Sequence, residues 1–372
     1  MHPACELPTF EDAEQVPSYP ILVGDRARLA WKELAAPFRG VALLADATVW
    51  DLHGAEVPGL ADLPRFLLPS GESSKDWQHL GEVLGFLADA DLGPGSLLLT
   101  LGGGVVSDLG GLAASIYKRG MAVAHMPSTL LAQVDASVGG KTAVNLPQGK
   151  NLVGTYHMPA FVLMDPEVLR TLPIEEWRSG LGEVCKTALL ARRPVLHQLE
   201  DTAASLSDPT KAGSRAIESI VRASVRTKAQ WVEADPTEKG CRKALNLGHT
   251  FAHAIEHAAG FGTVPHGIAV AFGLQLALRA SADRDMLFDQ SLTERIPALL
   301  GALGLPRSWR TYSSRLGIDL TVEDLMQGLA HDKKGDVRKP RFVLPLEAGR
   351  VVWDIELEPD HIEQLWRGFL SV

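Results

Sequence analysis

The sequence predicts an α/β part with a mostly parallel sheet followed by an all-α part. Two observations carry this. Up to about residue 173, short apolar runs alternate with helical patterns, as in strand–helix–strand units. Beyond Pro173 the helical period takes over and strand candidates nearly vanish as far as Ala282. A chain of 372 residues is also too long for one ordinary core.

Taken in order, Met1–Pro20 is acidic and carries Pro3, Pro8, Pro17 and Pro20. It lacks the basic start and apolar run of a signal peptide, and reads as a loose extension leading into the first strand. Val41–Ala45, Arg65–Leu68, Leu97–Leu101, Val123–Met126 and Phe161–Met164 read as buried strands. Trp77–Ala90 and Leu109–Tyr117 read as helices between them. The domain boundary falls near Pro173, giving 1–173 and 174–372. Residues 291–372 look mainly helical, with one hairpin candidate at Phe342–Leu346 and Val351–Ile355. There is no internal repeat and no low-complexity tract.

Composition narrows the function classes. With 46% hydrophobic and 22% charged residues, the chain has the balance of a soluble globular protein. No run approaches the roughly eighteen apolar residues of a membrane span. A net charge of −9 argues against a nucleic-acid binder, although it leaves room for a local basic pocket. Cys5, Cys185 and Cys241 are too few and too scattered for a disulfide framework, and a reducing cytoplasm suits them. Cys185 and Cys241 lie beside candidate site residues but have no obvious paired base, so both read as inert thiols.

Five segments carry chemistry. Leu97–Leu101 runs into Gly102-Gly103-Gly104-Val105-Val106-Ser107-Asp108 and then a helical stretch. Glycines there let backbone approach an anion, and a helix N-terminus offers free N–H groups. The G-x-G-x-x-G fingerprint fails at its last position, Ser107, so nucleotide binding stays open on this segment alone. Asp46, after a candidate strand, suits ribose hydroxyls or a plain turn. Next, Asp135, Lys141, Lys150 and Asn151 crowd among glycines. Gly-Gly-Lys-Thr invites a P-loop reading, but Asp135 stands where that motif needs glycine. A solvated lysine loop is the plain alternative, but the density of glycine beside Lys and Asn favours an anion site.

Gly180–Lys186 places Glu183 and Lys186 three apart on a predicted helix, with apolar neighbours that disfavour full exposure. Asn246, His249, His253 and Glu256 then fall three or four residues apart, sharing one face if the stretch is a single helix. Such a stripe suits a metal or a proton-transfer site beside one; the plain alternatives are a solvated face or a pair of hydrogen-bonded core histidines. His266 opens a small-residue helical stretch, where a histidine could cap the helix, bind a carbonyl or bind metal; with His249 and Glu183 it makes available a His₂Glu set, a catalytic zinc pattern with an open position. His331-Asp-Lys333-Lys334 forms a late basic turn.

In this order the segments closely resemble dehydroquinate synthase and its sugar-phosphate cyclase relatives, over roughly residues 40–345. The resemblance rests on Gly102–Asp108, Asp135–Thr142, Gly149–Asn151, Gly180–Lys186, Arg242–Glu256 and His266–Gly273. It implies an NAD-binding α/β domain, a helical metal-binding domain, an active site in the cleft between them, and a homodimer. Position by position, Glu183, His249 and His266 match the family's zinc ligands, with cobalt an alternative metal. Asp46, Glu72, Lys75, Gly103, Gly104, Val105, Asp108, Ser128, Thr129, Lys150, Thr171 and Leu172 match NAD contacts. Asp135, Lys141, Asn151, Lys186, Lys228, Arg242, Asn246, His253 and Lys334 or Lys333 match substrate and catalytic positions. Arg119 matches a residue lent to the partner subunit's phosphate site.

Some positions depart from the family pattern. Ser128 stands where Thr is common, Ala252 where Gly is common and Thr187 where an aromatic is expected. The tail Asp332–Arg341 is longer and more charged, which leaves both late lysines open.

The implied substrate is 3-deoxy-arabino-heptulosonate 7-phosphate, a carboxylate with a phosphate, which suits several converging cations. The implied reaction oxidises a substrate hydroxyl transiently, eliminates phosphate, returns the hydride and closes a ring by aldol addition. His253 would take the hydroxyl proton. A sister cyclase is the first rival: an amino-dehydroquinate, epi-valiolone or inosose synthase. Arg242, Asn246 and His253 together favour a carboxylate-bearing substrate, which the amino variant shares. A metal-dependent polyol dehydrogenase would need no phosphate site, and a dead binding protein would have lost its ligands.

Overall fold

The computed structural model describes residues 5–6, 18–331 and 339–372. The described residues form two units, and no single cut in the sequence separates them. One takes the strand β1 (Cys5–Glu6) together with those within Ile174–Ala216 and Gln230–Val372. The other takes those within Asp12–Pro173 and Ile217–Ala229.

The α/β unit holds β2 (Ile21–Val23), β3 (Val41–Asp46), β4 (Arg65–Leu68), β5 (Leu97–Gly102) and β6 (Ala122–Pro127). A hairpin, β7 (Lys141–Leu146) and β8 (Gly149–Tyr156), and then β9 (Phe161–Met164) follow. All but the hairpin join one parallel sheet in the order β2-β9-β6-β5-β3-β4. Helices α1 (Trp31–Ala35), α2 (Ala47–His53), α3 (Trp77–Asp89) and α4 (Gly104–Ile116) lie between strands in the chain.

Every residue of β5 is buried. Leu98 packs with Leu44, Leu80, Val106 and Leu109 on one face, while Leu97, Leu99 and Leu101 join Trp31, Leu60 and Phe161 on the other. That alternation shows a sheet covered on both sides, which is why its strands read as unbroken apolar runs. From β3 the chain steps outward to β4, and from β5 it steps the opposite way to β6. The carboxyl ends of β3 and β5 therefore flank a topological switch point, where open α/β sheets bind ligands.

The helical unit contains α5 (Ile174–Leu190), α6 (Arg193–Leu206), parts of α7 (Ser214–Ala234), α8 (His249–Ala258) and α9 (His266–Ala282). It continues through α10 (Leu292–Ala302), α11 (Trp309–Leu316), α12 (Val322–His331), the strands β10 (Phe342–Glu347) and β11 (Arg350–Ile355), and α13 (Pro359–Ser371). Helix α9 is buried along nearly its whole length, with α5, α8 and α10 packed around it. No helix among the described residues is long and apolar enough to cross a membrane.

The hairpin expected near the end of the mainly helical second part is present as β10 and β11, and β1 adds a third antiparallel strand that the sequence did not suggest, with Cys5 paired to Val351. Phe342–Pro345 is buried throughout, which gives that sheet its packed face. The Gly- and Lys-rich stretch at 141–151, for which a solvated loop was one alternative, is the β7–β8 hairpin.

Candidate metal centre and active-site residues

Two backbone contacts gather the metal-ligand candidates. A Cβ on Gly182 of α5 would stand 1.9 Å from the Gly267 carbonyl oxygen. One on Gly267 of α9 would stand 1.7 Å from the Ser179 carbonyl oxygen. No side chain fits at this crossing, so the helix backbones touch, and the Gly267 N–H donates to Ser179 Oγ at 3.0 Å. Glu183 and His266 are the chain neighbours of these two glycines. They meet with His266 Nε2 3.3 Å from Glu183 Oε1. His249 opens α8 just after Gly248, whose φ of 79° is a left-handed value that favours glycine. Gly248 lies against Gly273 of α9, where a Cβ would stand 2.1 Å from the Gly248 carbonyl oxygen. His249 Nε2 thereby comes 3.5 Å from Glu183 Oε1.

One ligand atom from each of Glu183, His249 and His266 lies within 4.8 Å of the others. Both rings turn Nδ1 outward: His249 Nδ1 donates to the Leu247 carbonyl at 3.2 Å, and His266 Nδ1 to Glu256 at 3.2 Å. That gives Nδ1 the outward hydrogen bond in both rings and turns each Nε2 toward Glu183. A carboxylate and two inward imidazole nitrogens fit a divalent metal with an open coordination position.

The electrostatics agree. Glu183 is fully buried, and Lys186 Nζ sits 2.5 Å from its Oε2. Burial, helped by Lys186, holds His249 well below the usual imidazole range, which leaves it neutral and able to ligate. Burial alone would also depress His266, but the Glu256 and Glu183 carboxylates outweigh it and raise the ring to about 10. A field that draws a proton this strongly draws a divalent cation too. Glu183 and Lys186 are thus a buried pair, not the weak surface pair that their spacing alone allows.

The polar stripe is split. Asn246 ends a 3₁₀ turn, Cys241–Asn246, and Gly248 breaks the backbone before α8 begins. Asn246 therefore does not share a helix face with His249; its amide donates to Glu238 at 2.5 Å. His253 stays on α8, its ring 5.6 Å from that of His249 and edge-on to it. Arg242 is fully buried and donates to the Pro236 carbonyl at 2.6 Å.

In the α/β unit, Asp46, Gly102–Gly104 and Ser128–Thr129 lie at the carboxyl ends of three neighbouring strands, β3, β5 and β6. Asp46 caps α2 through the Val49 N–H at 3.1 Å and accepts from Ser70 at 2.6 Å. Gly103 caps α4 with no side-chain hydrogen bond, so that helix offers its first N–H groups to a ligand. Ser128 Oγ is buried and meets no hydrogen-bond partner among the described residues. These strand ends fit a dinucleotide at the switch point.

Beside them, Lys75 Nζ lies 2.5 Å from both Asp108 and Asn151. Burial raises the Asp108 carboxyl above the usual carboxylate range despite the opposing pull of Lys75. Asn145 ties this group together by donating to Glu72 at 2.7 Å and accepting the Asn151 N–H at 3.0 Å. Only its place in a Gly- and Lys-rich hairpin sequence hinted at that role. Asp135 sits in a π-turn, Ala132–Ala136, and meets Lys228 at 2.8 Å; such turns recur at functional sites.

The hairpin register separates two lysines that the sequence placed together. Lys141 pairs with Tyr156 at the open end, whereas Lys150 lies beside the Leu146–Gly149 end, about 13 Å along the strand. Thr171 and Leu172 close a 3₁₀ turn, and Thr171 Oγ1 lies 2.8 Å from His53 Nε2. Arg119 is exposed with φ 68°. Lys333 and Lys334 lie outside the described residues.

Comparison with known proteins points the same way. Residues 65–179 match the family model described as 3-dehydroquinate synthase N-terminal, and 180–335 the one described as 3-dehydroquinate synthase C-terminal. A 3-dehydroquinate synthase of Paracoccus denitrificans is 41% identical over 94% of this chain and 95% of its own. One from Acidithiobacillus ferrooxidans is 39% identical over 95% and 96%. Among solved structures, the 2-epi-5-epi-valiolone synthase ValA of Streptomyces hygroscopicus, with NAD+ and Zn2+ bound, superposes with a TM-score of 0.82 at 28% identity. The match covers 97% of this chain and 99% of that one. A 2-deoxy-scyllo-inosose synthase, at TM-score 0.81 and 22% identity over the whole of both chains, shares the fold.

Proposed function

The chain belongs to the 3-dehydroquinate synthase family, and from that premise we propose how its residues perform the reaction. The enzyme converts 3-deoxy-D-arabino-heptulosonate 7-phosphate to 3-dehydroquinate and phosphate, with no net redox change, a lyase step of aromatic biosynthesis. Its cofactors are NAD and a divalent metal, zinc. When bound, NAD exchanges a hydride with the substrate and the metal acidifies a substrate hydroxyl.

The remaining roles fall to side chains. Glu183, His249 and His266 hold the metal. His253 accepts the hydroxyl proton, directly or through water. Asn246, its amide fixed by Glu238, orients the substrate. Lys141, Lys186, Lys228, Arg242, Asn151 and a late lysine meet carboxylate and phosphate, and Asp135 sets the Lys228 ammonium in place. Asp46, Glu72, Lys75, Gly103, Gly104, Val105, Asp108, Ser128, Thr129, Lys150, Thr171 and Leu172 surround the dinucleotide. The 1–173 part thus serves NAD, and 174–372 the metal. The protein works as a homodimer in which exposed Arg119 reaches the partner's phosphate site. Free thiols at Cys185 and Cys241 suit a reducing cytoplasm.

The observation that carries this reading is the Glu183–His249–His266 set. It is tested by the zinc content and turnover of His249→Ala. Wild type should hold one zinc per chain, and the variant should lose zinc and activity together while keeping its circular dichroism. Full zinc occupancy in the variant would refute the ligand assignment.

A further inference from the structure

Of the three ligand candidates, His266 has the least enclosed side chain, 33% exposed against 13% for His249 and 0% for Glu183. It is also the first residue of α9, preceded by Pro265, with no earlier helical turn of its own to hold the ring. Something else must fix the ring if Nε2 is to stay on the metal.

We propose that Glu256 is the positioning residue that does this. It is 3% exposed, it lies on α8, which also carries His249, and its carboxylate accepts the His266 Nδ1–H at 3.2 Å. Nε2 on the far side of the ring faces Glu183 at 3.3 Å. The inference rests on the reading that Glu183, His249 and His266 hold the metal. A carboxylate on Nδ1 selects the tautomer whose lone pair is on Nε2, stops the ring from rotating, and makes Nε2 a stronger donor. It also accounts for a carboxylate buried where a neutral residue would be easier to accommodate. Glu256 thereby ties α8 to α9 through the ring that α9 contributes. Glu256, His253 and His266 together also form a set that a metal could span, but occupying both sets at once would require His266 to bind through both nitrogens.

The test uses the full chain as wild type, Glu256→Gln and Glu256→Leu. Zinc affinity is measured by chelator competition, and the ligand-field spectrum is taken with cobalt in place of zinc. Melting of the metal-free protein and NAD binding serve as controls. Glu256→Leu should weaken zinc about 10- to 100-fold and alter the cobalt spectrum, leaving both controls near wild type. Glu256→Gln, whose amide oxygen can accept the same hydrogen bond, should keep the cobalt spectrum and recover most of the affinity. If the leucine variant does not fold, a wild-type spectrum with a several-fold weaker affinity in the glutamine variant supports the proposal, and an unchanged affinity overturns it. Unaltered zinc binding in Glu256→Leu overturns it as well. So does a second zinc in wild type that Glu256→Leu abolishes, which would make Glu256 a ligand. A wild type that binds no metal defeats the parent reading, a failure that the leucine result alone cannot produce.

Discussion

Glu183 is a carboxylate with no exposed surface, and Lys186 beside it is almost as deeply buried. Burying such a pair is costly, and well-packed apolar residues can do as well or better for stability, so a pair like this calls for a functional explanation. Residue type and spacing made much of the candidate metal set legible. Two histidines one turn apart, a glutamate within a Gly-Leu-Gly-Glu segment and a histidine opening a helix are rare enough together to point to a metal. What spacing could not reveal was the break at Gly248, because nothing in Asn-Leu-Gly-His distinguishes a helical glycine from one at φ 79°. Nor could it reveal Asn145, whose two hydrogen bonds depend on the fold. Lys141 supplies a prediction at this scale. It is exposed at the start of β7, away from Lys150. Lys141→Ala should raise KM for the phosphate substrate tenfold or more while NAD affinity stays within twofold. Equal losses in both would count against a substrate role.

Among elements, the long apolar strands were the easiest to read, since a sheet covered on both faces leaves runs such as Leu97–Leu101 unbroken. The hairpin was harder: Gly139-Gly140-Lys141 looks like an anion loop, and only the pairing of Lys141 with Tyr156 shows that a strand starts there. β1 lay hidden because its two residues gain a strand partner only from β11, far along the chain. The crossing of α5 and α9 gives the clearest link between an element and the site. With the Ser179 carbonyl 1.7 Å from where a methyl would go, Gly267→Ala must push the helices apart and carry Glu183 away from His266. We expect a loss of about 1–3 kcal/mol in stability, as overpacking typically produces, together with weakened zinc binding. Melting curves and zinc competition would show it, and a variant that melts lower yet binds zinc as tightly as wild type would separate the crossing from the site.

For the whole molecule, alternating strand and helix followed by helix alone was enough to forecast a parallel-sheet part and a helical part. It could not forecast that Ile217–Ala229 packs with the first and β1 with the second, because such membership is decided by tertiary contacts. The order of motifs along the chain carried the functional reading further than any single motif, and the family match over 65–335 agrees with it. One chemical claim is central: this chain closes a carbon ring with release of phosphate and regenerates its NAD. Purified protein, zinc, a trace of NAD and the heptulosonate phosphate test it directly, with product identified by mass and phosphate and NADH counted. One phosphate per 3-dehydroquinate, many turnovers per NAD and no build-up of NADH is the expected result. NADH accumulating without phosphate release would contradict it.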